Sequence, residues 1–195
     1  MKIFLYILIS FNLFFALDNV EWKILSENPV FIKVLKTNYP HCHAEIIIHE
    51  SIDNILKVIE DVNNYKFFFD SIELSVKNDD EQVRLGIDMP FPFTDRDYTV
   101  KFSRSVDNND ISYLYHPIVT DNFPLDDNYI RLTEARGGWV LSKIDDRKTL
   151  VIYKWNGDLK GDFPQWAYST AWIKQGNEIM LNLDKEVKKR NSLND

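Results

Sequence analysis

Few residues in this sequence have the types and spacing that chemistry needs. His41-Cys42-His43 comes nearest to a metal cluster. On a strand its two imidazoles share one face and Cys42 points to the other, which leaves two ligands where zinc takes three or four. The run is therefore read as strand surface, and no metal site is assigned. His49 and His116 are isolated and fit strand positions. The Asp/Asn-rich runs at 78–80 and 107–110 lack the D-x-D-x-D-G spacing and distal glutamate of a calcium loop, so they read as solvated turns. No Gly-rich phosphate loop, G-x-S-x-G or H-E-x-x-H occurs, which leaves nucleotide, serine-hydrolase and zinc-protease readings without support. Glu45, Glu73 and Asp88 have no evident carboxylate partner, whereas paired acid/base catalysis needs two groups in environments that split their pKa values. No catalytic residue and no cofactor is assigned.

The most distinctive run is Met89-Pro90-Phe91-Pro92-Phe93-Thr94-Asp95-Arg96-Asp97-Tyr98. Proline fixes φ and offers no N–H, so Pro90 and Pro92 end the alternating strand 82–89 and turn the chain before alternation resumes at 98–104. Arg96 then stands between two aspartates at the mouth of a hairpin. Its five donors must be met if it is buried, which makes it either a paired structural bridge to Asp95 or Asp97 or a polar anchor inside an apolar space.

The order of elements follows from periodicity. Segments 30–35 and 44–49 are β-rich, and 18–27 reads as a short helix or an arm. Ser51 can cap a helix whose Ile52, Ile55, Leu56, Ile59 and Val62 share one face, ended by Asn63-Asn64 and followed by the cluster Phe67-Phe68-Phe69. Strands are predicted at 71–77, 82–89, 97–104, 111–119, 129–142 and 149–156 as an antiparallel meander with one wet and one dry face. Pro164, with Asp162 before it, suits the first turn of a final helix reaching about Arg190, with Trp166, Thr170, Ile173, Met180, Leu183 and Val187 on one stripe.

Three stretches of this chain carry a family resemblance. Pro-Phe-Pro-Phe-Thr-Asp-Arg-Asp-Tyr at 90–98 resembles the aromatic-Pro-x-Ser/Thr-x-Arg-Asp-aromatic signature of START domains, the StAR-related lipid-transfer family. Tyr129-Ile130-Arg131 with Gly138-Trp139 is similar to that family's V-R…G-x-W strand. Asp158-Leu159-Lys160-Gly161-Asp162-Phe163-Pro164-Gln165-Trp166 is similar to its D-x-x-G-x-I/L-P-x-W approach to the last helix. The resemblance covers about residues 30–189. It implies an α+β helix-grip (Bet v 1-like) fold, a curved antiparallel sheet wrapped around a long C-terminal helix with an apolar cavity between them. It also implies non-catalytic binding and transfer of a lipid or other hydrophobic molecule. The alternative within the same superfamily is an enzyme, an aromatase/cyclase acting on a polyketide-like substrate.

Candidate cavity residues follow from that expectation. Tyr113, Tyr115, Trp139, Tyr153, Trp155 and Trp166 are large rings that suit either an apolar wall or ordinary core. Leu85, Ile87, Tyr98, Phe102 and Ile173 lie on the strands and helix that would face it. Arg96 and Arg131 are the cationic candidates. In certain START sterol and phospholipid carriers a second arginine follows the first by six residues; Phe102 stands there in this chain, which implies a more apolar chamber with at most one charged anchor. The loop 120–128 carries Phe123 and Leu125 among aspartates and is expected to gate the cavity, packing against the final helix near Gly176-Asn177 and opening at a bilayer.

Composition bounds the rest. A chain of 195 residues without a Gly/Ser/Pro-rich linker is expected to form one domain and to act as a monomer. A net charge of −7 opposes nucleic-acid binding and strong adhesion to anionic bilayers, so membrane contact is expected to be transient. Lys2 followed by the apolar run 3–15 and Ala16 reads as a signal peptide over 1–17, for export to the periplasm or the exterior. The run is shorter than the roughly 20 residues a spanning helix needs. Phe14 fits a small-x-small cleavage rule poorly, which leaves the cleavage site, and retention as an anchor, open. Cys42 is the one cysteine, so no intrachain disulfide can form.

Overall fold

The structure, a computed structural model, describes residues 21–35, 37, 40–108, 110–161 and 163–193. The signal-peptide segment 1–17 and Asp162 lie outside the described residues. Ten strands form one sheet: β1 (Lys23–Ser26), β2 (Phe31–Leu35), β3 (His41–Ile48), β4 (Ile72–Lys77), β5 (Gln82–Ile87), β6 (Asp95–Asp107), β7 (Asp110–Pro117), β8 (Tyr129–Arg131), β9 (Gly137–Asp145) and β10 (Lys148–Asn156). Nine run antiparallel in the order β1-β2-β3-β10-β9-β7-β6-β5-β4. The pairing of β10 with β3, Trp155 opposite Cys42 and Tyr153 opposite Ala44, joins the two halves of the chain. The fold is α+β and of the helix-grip kind: a large curved antiparallel sheet with a long C-terminal helix against it.

Helix α1 (Ile52–Ile59) begins where expected, with the Ser51 hydroxyl accepting the Asn54 N–H. Its apolar face buries Ile55, Leu56 and Ile59 in the core, together with Val58. Helix α2 (Tyr168–Ser192) starts later than Pro164. Pro164 is extended and precedes a single 3-10 turn over Gln165–Ala167, so the proline stands before the helix rather than in its first turn. The buried stripe of α2 accordingly differs from the expected one. Trp172, Gly176, Ile179, Met180, Leu183 and Val187 face inward, while Trp166 is 84 % exposed and Ile173 lies off the stripe, half-buried. Gly176, near which the loop 120–128 is expected to pack, serves instead to bring the helix onto the sheet. A Cβ there would stand 2.8 Å from Ile32 Cδ1 and 3.2 Å from Trp155 Cη2, so the glycine lets the helix lie directly on β2 and β10.

Three further expectations change. Segment 23–26 is strand β1, paired with β2, instead of a helix or arm. The predicted strand 129–142 is two: β8 runs parallel to β6 and leads through a turn to β9, because the Leu132 N–H is taken by the Asp97 carbonyl at 2.7 Å. His43 is buried rather than at the surface, since Trp22 covers that face of β3 at 6.1 Å and Nε2 meets Glu45 at 2.9 Å. Burial lowers the His43 pKa, against the Glu45 hydrogen bond, which raises it.

Gly176→Val is expected to cost about 1 to 3 kcal/mol of stability through overpacking against Ile32 and Trp155. Urea unfolding checks this; an unchanged midpoint would show that the helix can stand off the sheet without loss.

Candidate ligand chamber

The site is organised by the β5–β6 hairpin and by the period of 2 along β6, which sends adjacent side chains to opposite faces. Asp95 accepts the Met89 N–H at 2.8 Å and closes the turn. Arg96, 1 % exposed, points to one face. Its Nε donates to the Leu159 carbonyl at 3.0 Å, its Nη2 to the Lys160 carbonyl at 3.2 Å, and its Nη1 to the Thr94 carbonyl. Lys160 and Gly161 both adopt left-handed backbone, φ 50 and 60, at the bend that brings these carbonyls to the guanidinium. Burial lowers the Arg96 pKa, with Tyr168 and Asp95 acting the other way. The structure thus replaces both sequence expectations for this residue: Arg96 bridges neither Asp95 nor Asp97 and is not part of the cavity wall, but clamps β6 to the segment leading into α2.

Asp97, also 1 % exposed, points to the other face between two arginines. Arg131 grips it with two bonds, Nε to Oδ1 at 2.7 Å and Nη2 to Oδ2 at 2.8 Å, and Arg84 Nε reaches Oδ2 at 2.7 Å. Arg84 continues to Asp126 at 3.2 Å, which balances two guanidiniums with two carboxylates. Burial pulls the Arg84 pKa down, and the hydrogen bonds from Asp97 and Asp126 carry it above its ordinary value. Arg131 also donates to the carbonyls of Phe123 and Pro124. It therefore ties down a loop and does not line the chamber.

The chamber lies between the sheet and α2 as two adjoining narrow cavities, with room of about 30 and 20 Å³ for the centre of a water-sized sphere. Ile87, Tyr98, Tyr115, Tyr153 and Gln175 form the waist common to both. On one side of the waist lie Leu132, Glu134, Trp155, Asn156, Asp158 and Lys160. On the other lie Tyr65, Phe69, Ile72, Leu85, Trp139 and Ile179, with Phe102 beside them. Of the residues expected from sequence, the structure brings together Leu85, Ile87, Tyr98, Phe102, Tyr115, Trp139, Tyr153 and Trp155. Tyr113 is further along β7 and stacks on Phe102 at 4.7 Å without reaching the space. Trp166 and Ile173 stand outside it for the reason of helix register given above. Sequence reasoning missed Tyr65, Phe69, Gln175 and Ile179. The last two are one turn apart on α2 and could have been found once the stripe was set on Trp172.

The tyrosines of this wall are held neutral. Burial raises the pKa of Tyr65, Tyr98 and Tyr115, and pushes Tyr153 up to about 12. The Tyr65 hydroxyl donates to the Ile59 carbonyl, and those of Tyr115 and Tyr153 meet at 3.3 Å. Among the described residues no three His, Cys, Asp or Glu side chains come together to hold a metal ion.

The loop 120–128 is not arranged as expected. Its hydrogen bonds run to Gln82, Asp80, Arg84 and Arg131, on the β5 and β8 side, instead of to α2. Leu125 is 78 % exposed and Phe123 half-buried. What meets the approach to α2 is the hairpin turn: Phe93 contacts Phe163 at 4.8 Å, Phe163 contacts Tyr168 at 5.1 Å, and Tyr168 contacts Trp172 at 5.2 Å.

This architecture has solved counterparts. Human StAR-related lipid transfer protein 5 superposes with a TM-score of 0.79 at 16 % identity, over 95 % of each chain. This chain has the START fold. A STAR-related lipid transfer protein from Xanthomonas axonopodis gives a TM-score of 0.73 at 19 % identity, over 86 % of this chain and 98 % of that one. The START fold extends to an enzyme as well, the Zhui aromatase/cyclase from Streptomyces sp. R1128, with a TM-score of 0.50 at 16 % identity over 77 % of this chain and 94 % of that one. No protein-family model matches the sequence, and no curated protein matches it.

Asp97→Asn is expected to cost about 3 to 5 kcal/mol, because two largely buried guanidiniums lose their shared carboxylate. Arg96→Ala, which leaves the Leu159 and Lys160 carbonyls without their donor, is expected to cost about 2 to 3 kcal/mol. Chemical denaturation measures both; a loss below about 0.5 kcal/mol for either would place that side chain among ordinary surface residues.

Proposed function

We propose that this chain binds one lipid or other hydrophobic molecule in the chamber between the sheet and α2 and carries it between membranes, as a monomer and without chemical change to it. The observation that carries this reading is the aromatic chamber itself, two adjoining cavities in a START fold whose nearby arginines are all engaged by the protein. As it stands the space is narrow, with room of about 30 and 20 Å³ for a water-sized sphere's centre, so it holds a few waters and any ligand needs the chamber to open. Phe93 against Phe163 is a ring contact whose parting would widen it, and Phe91 on the same turn is 97 % exposed and available to a bilayer. Export through segment 1–17 belongs to the same reading, and it would place the carrier outside the cytoplasm.

An enzyme of the aromatase/cyclase kind is the second reading, favoured by the likeness to the Zhui protein. It requires a group that exchanges protons near neutral pH. The buried phenols at the chamber waist have pKa values raised away from that range.

Native mass spectrometry of the protein purified from its own cells tests the proposal. A co-purifying hydrophobic molecule in one-to-one ratio is expected, together with uptake from mixed-lipid vesicles. An empty protein that takes up nothing from vesicles would overturn it.

A further inference from the structure

The two ends of the chamber differ in what they offer a ligand. Three arginines lie close to it, and none has a charge to spare. Arg96 is enclosed by backbone carbonyls, and Arg84 and Arg131 share Asp97. Among the described residues the one cation lining the space is Lys160, whose Nζ is 2.5 Å from the Thr133 hydroxyl. Two carboxylates, Glu134 and Asp158, line the same end. A phosphate or carboxylate head would there lose its hydration without gaining a matching positive site.

Neutral hydrogen-bonding groups at this end and at the waist are unfilled. Trp155 is 4 % exposed, and its Nε1–H has no acceptor. An indole N–H can only donate, so a partner must bring an acceptor oxygen. The Tyr98 side chain is 6 % exposed and its hydroxyl bonds to no described residue; the Gln175 amide, at the waist, likewise has no hydrogen bond to one. At the far end the Tyr65 hydroxyl is by contrast used internally, by the Ile59 carbonyl, and at the waist the hydroxyls of Tyr115 and Tyr153 meet each other. Ser71 is the one small polar side chain among the rings and aliphatic groups there.

We infer that the chamber selects amphiphiles whose polar end is an uncharged hydroxyl or carbonyl group. That group sits at the Trp155 end within reach of Tyr98 and Gln175, and the hydrocarbon runs past the waist toward Phe69 and Trp139. The inference rests on the lipid-binding reading above and adds the head-group class and the orientation. Anionic lipids of the same chain length are discriminated against because a buried donor such as Trp155 Nε1–H is satisfied as well by a neutral oxygen, which carries no charge to desolvate.

The test compares ligands that share one C18 chain and differ only at the head: oleyl alcohol, oleate and oleyl phosphate, titrated into the full-length protein at pH 8 with tryptophan fluorescence as the readout. Oleyl alcohol is expected to bind at least about tenfold more tightly than either anion, a difference of the size that an uncompensated charge on the ligand produces. The wild-type comparison decides the matter without any variant. Oleate or oleyl phosphate binding as tightly as the alcohol would overturn the head-group inference while leaving the lipid-binding reading intact, whereas no binding of any of the three would overturn both. Orientation is tested separately by Trp155→Phe and by the less buried Gln175→Leu, each checked for fold by circular dichroism and read by native mass spectrometry. Each is expected to weaken oleyl alcohol about three- to tenfold while leaving 1-octadecene unchanged. Equal loss for both ligands, or no loss for either, would remove the polar end from this site.

Discussion

The fold depends on two adjacent charged residues pointing opposite ways. On β6 the pleat sends Arg96 to one face and Asp97 to the other, and each is spent on a different cross-link. Arg96 fastens the strand to the left-handed bend at 160–161 from which the chain enters α2. Asp97 fastens β5 and β8 through two arginines, and through Arg84 and Arg131 the loop 120–128. Shifting β6 by one residue would aim a carboxylate at two backbone carbonyls and a guanidinium at two guanidiniums. Register is therefore fixed here by charge as firmly as by the hydrophobic pattern elsewhere.

That arrangement explains why the chamber can be apolar next to so many charges. Every guanidinium near it is matched within the protein, so beyond the Trp155 end, where Glu134, Asp158 and Lys160 stand, the wall is mostly rings and aliphatic side chains. The tyrosines supply area without charge, and burial keeps them protonated. Their hydroxyls largely satisfy one another or the backbone, which confines the unfilled polar groups to the waist and the Trp155 end.

Local patterns were legible in the sequence, and long-range partners were not. Alternation on β5 and the cap at Ser51 depend on neighbours a few residues away, and they are found where periodicity put them. Most strands of the sheet followed from the same logic, β1 and the separate β8 excepted, and the eight chamber-wall residues came from the family resemblance laid over those strands. The role of Arg96 did not, because its acceptors are carbonyls 63 and 64 residues further on, and a carbonyl leaves no mark in the residue types. The stripe of α2 was misplaced because Trp166 looks like its natural start; only the 3-10 turn over Gln165–Ala167 reveals that helical phase begins at Tyr168. His43 was read as surface for a similar reason, since the cover provided by Trp22 comes from a segment whose structure the sequence left open.

The same distribution of strong and weak contacts bears on how a closed chamber could open. The approach to α2 is held at one point by a charged side chain on backbone carbonyls and at another by a ring against a ring. Hydrogen bonds to a buried guanidinium are costly to break, whereas ring packing such as that of Phe93 on Phe163 can re-form against another apolar surface, including acyl chains, with little net loss. A motion that keeps Arg96 in place and slides the hairpin turn from Phe163 therefore exchanges like for like. The loop 120–128 has no such freedom, because moving it would break its bonds to Arg84 and Arg131 and disturb the carboxylate they share. Exposure of Leu125 at its tip is then a property of a fastened loop, whereas Phe91 is exposed on the turn whose contact with the approach to α2 is a ring pair.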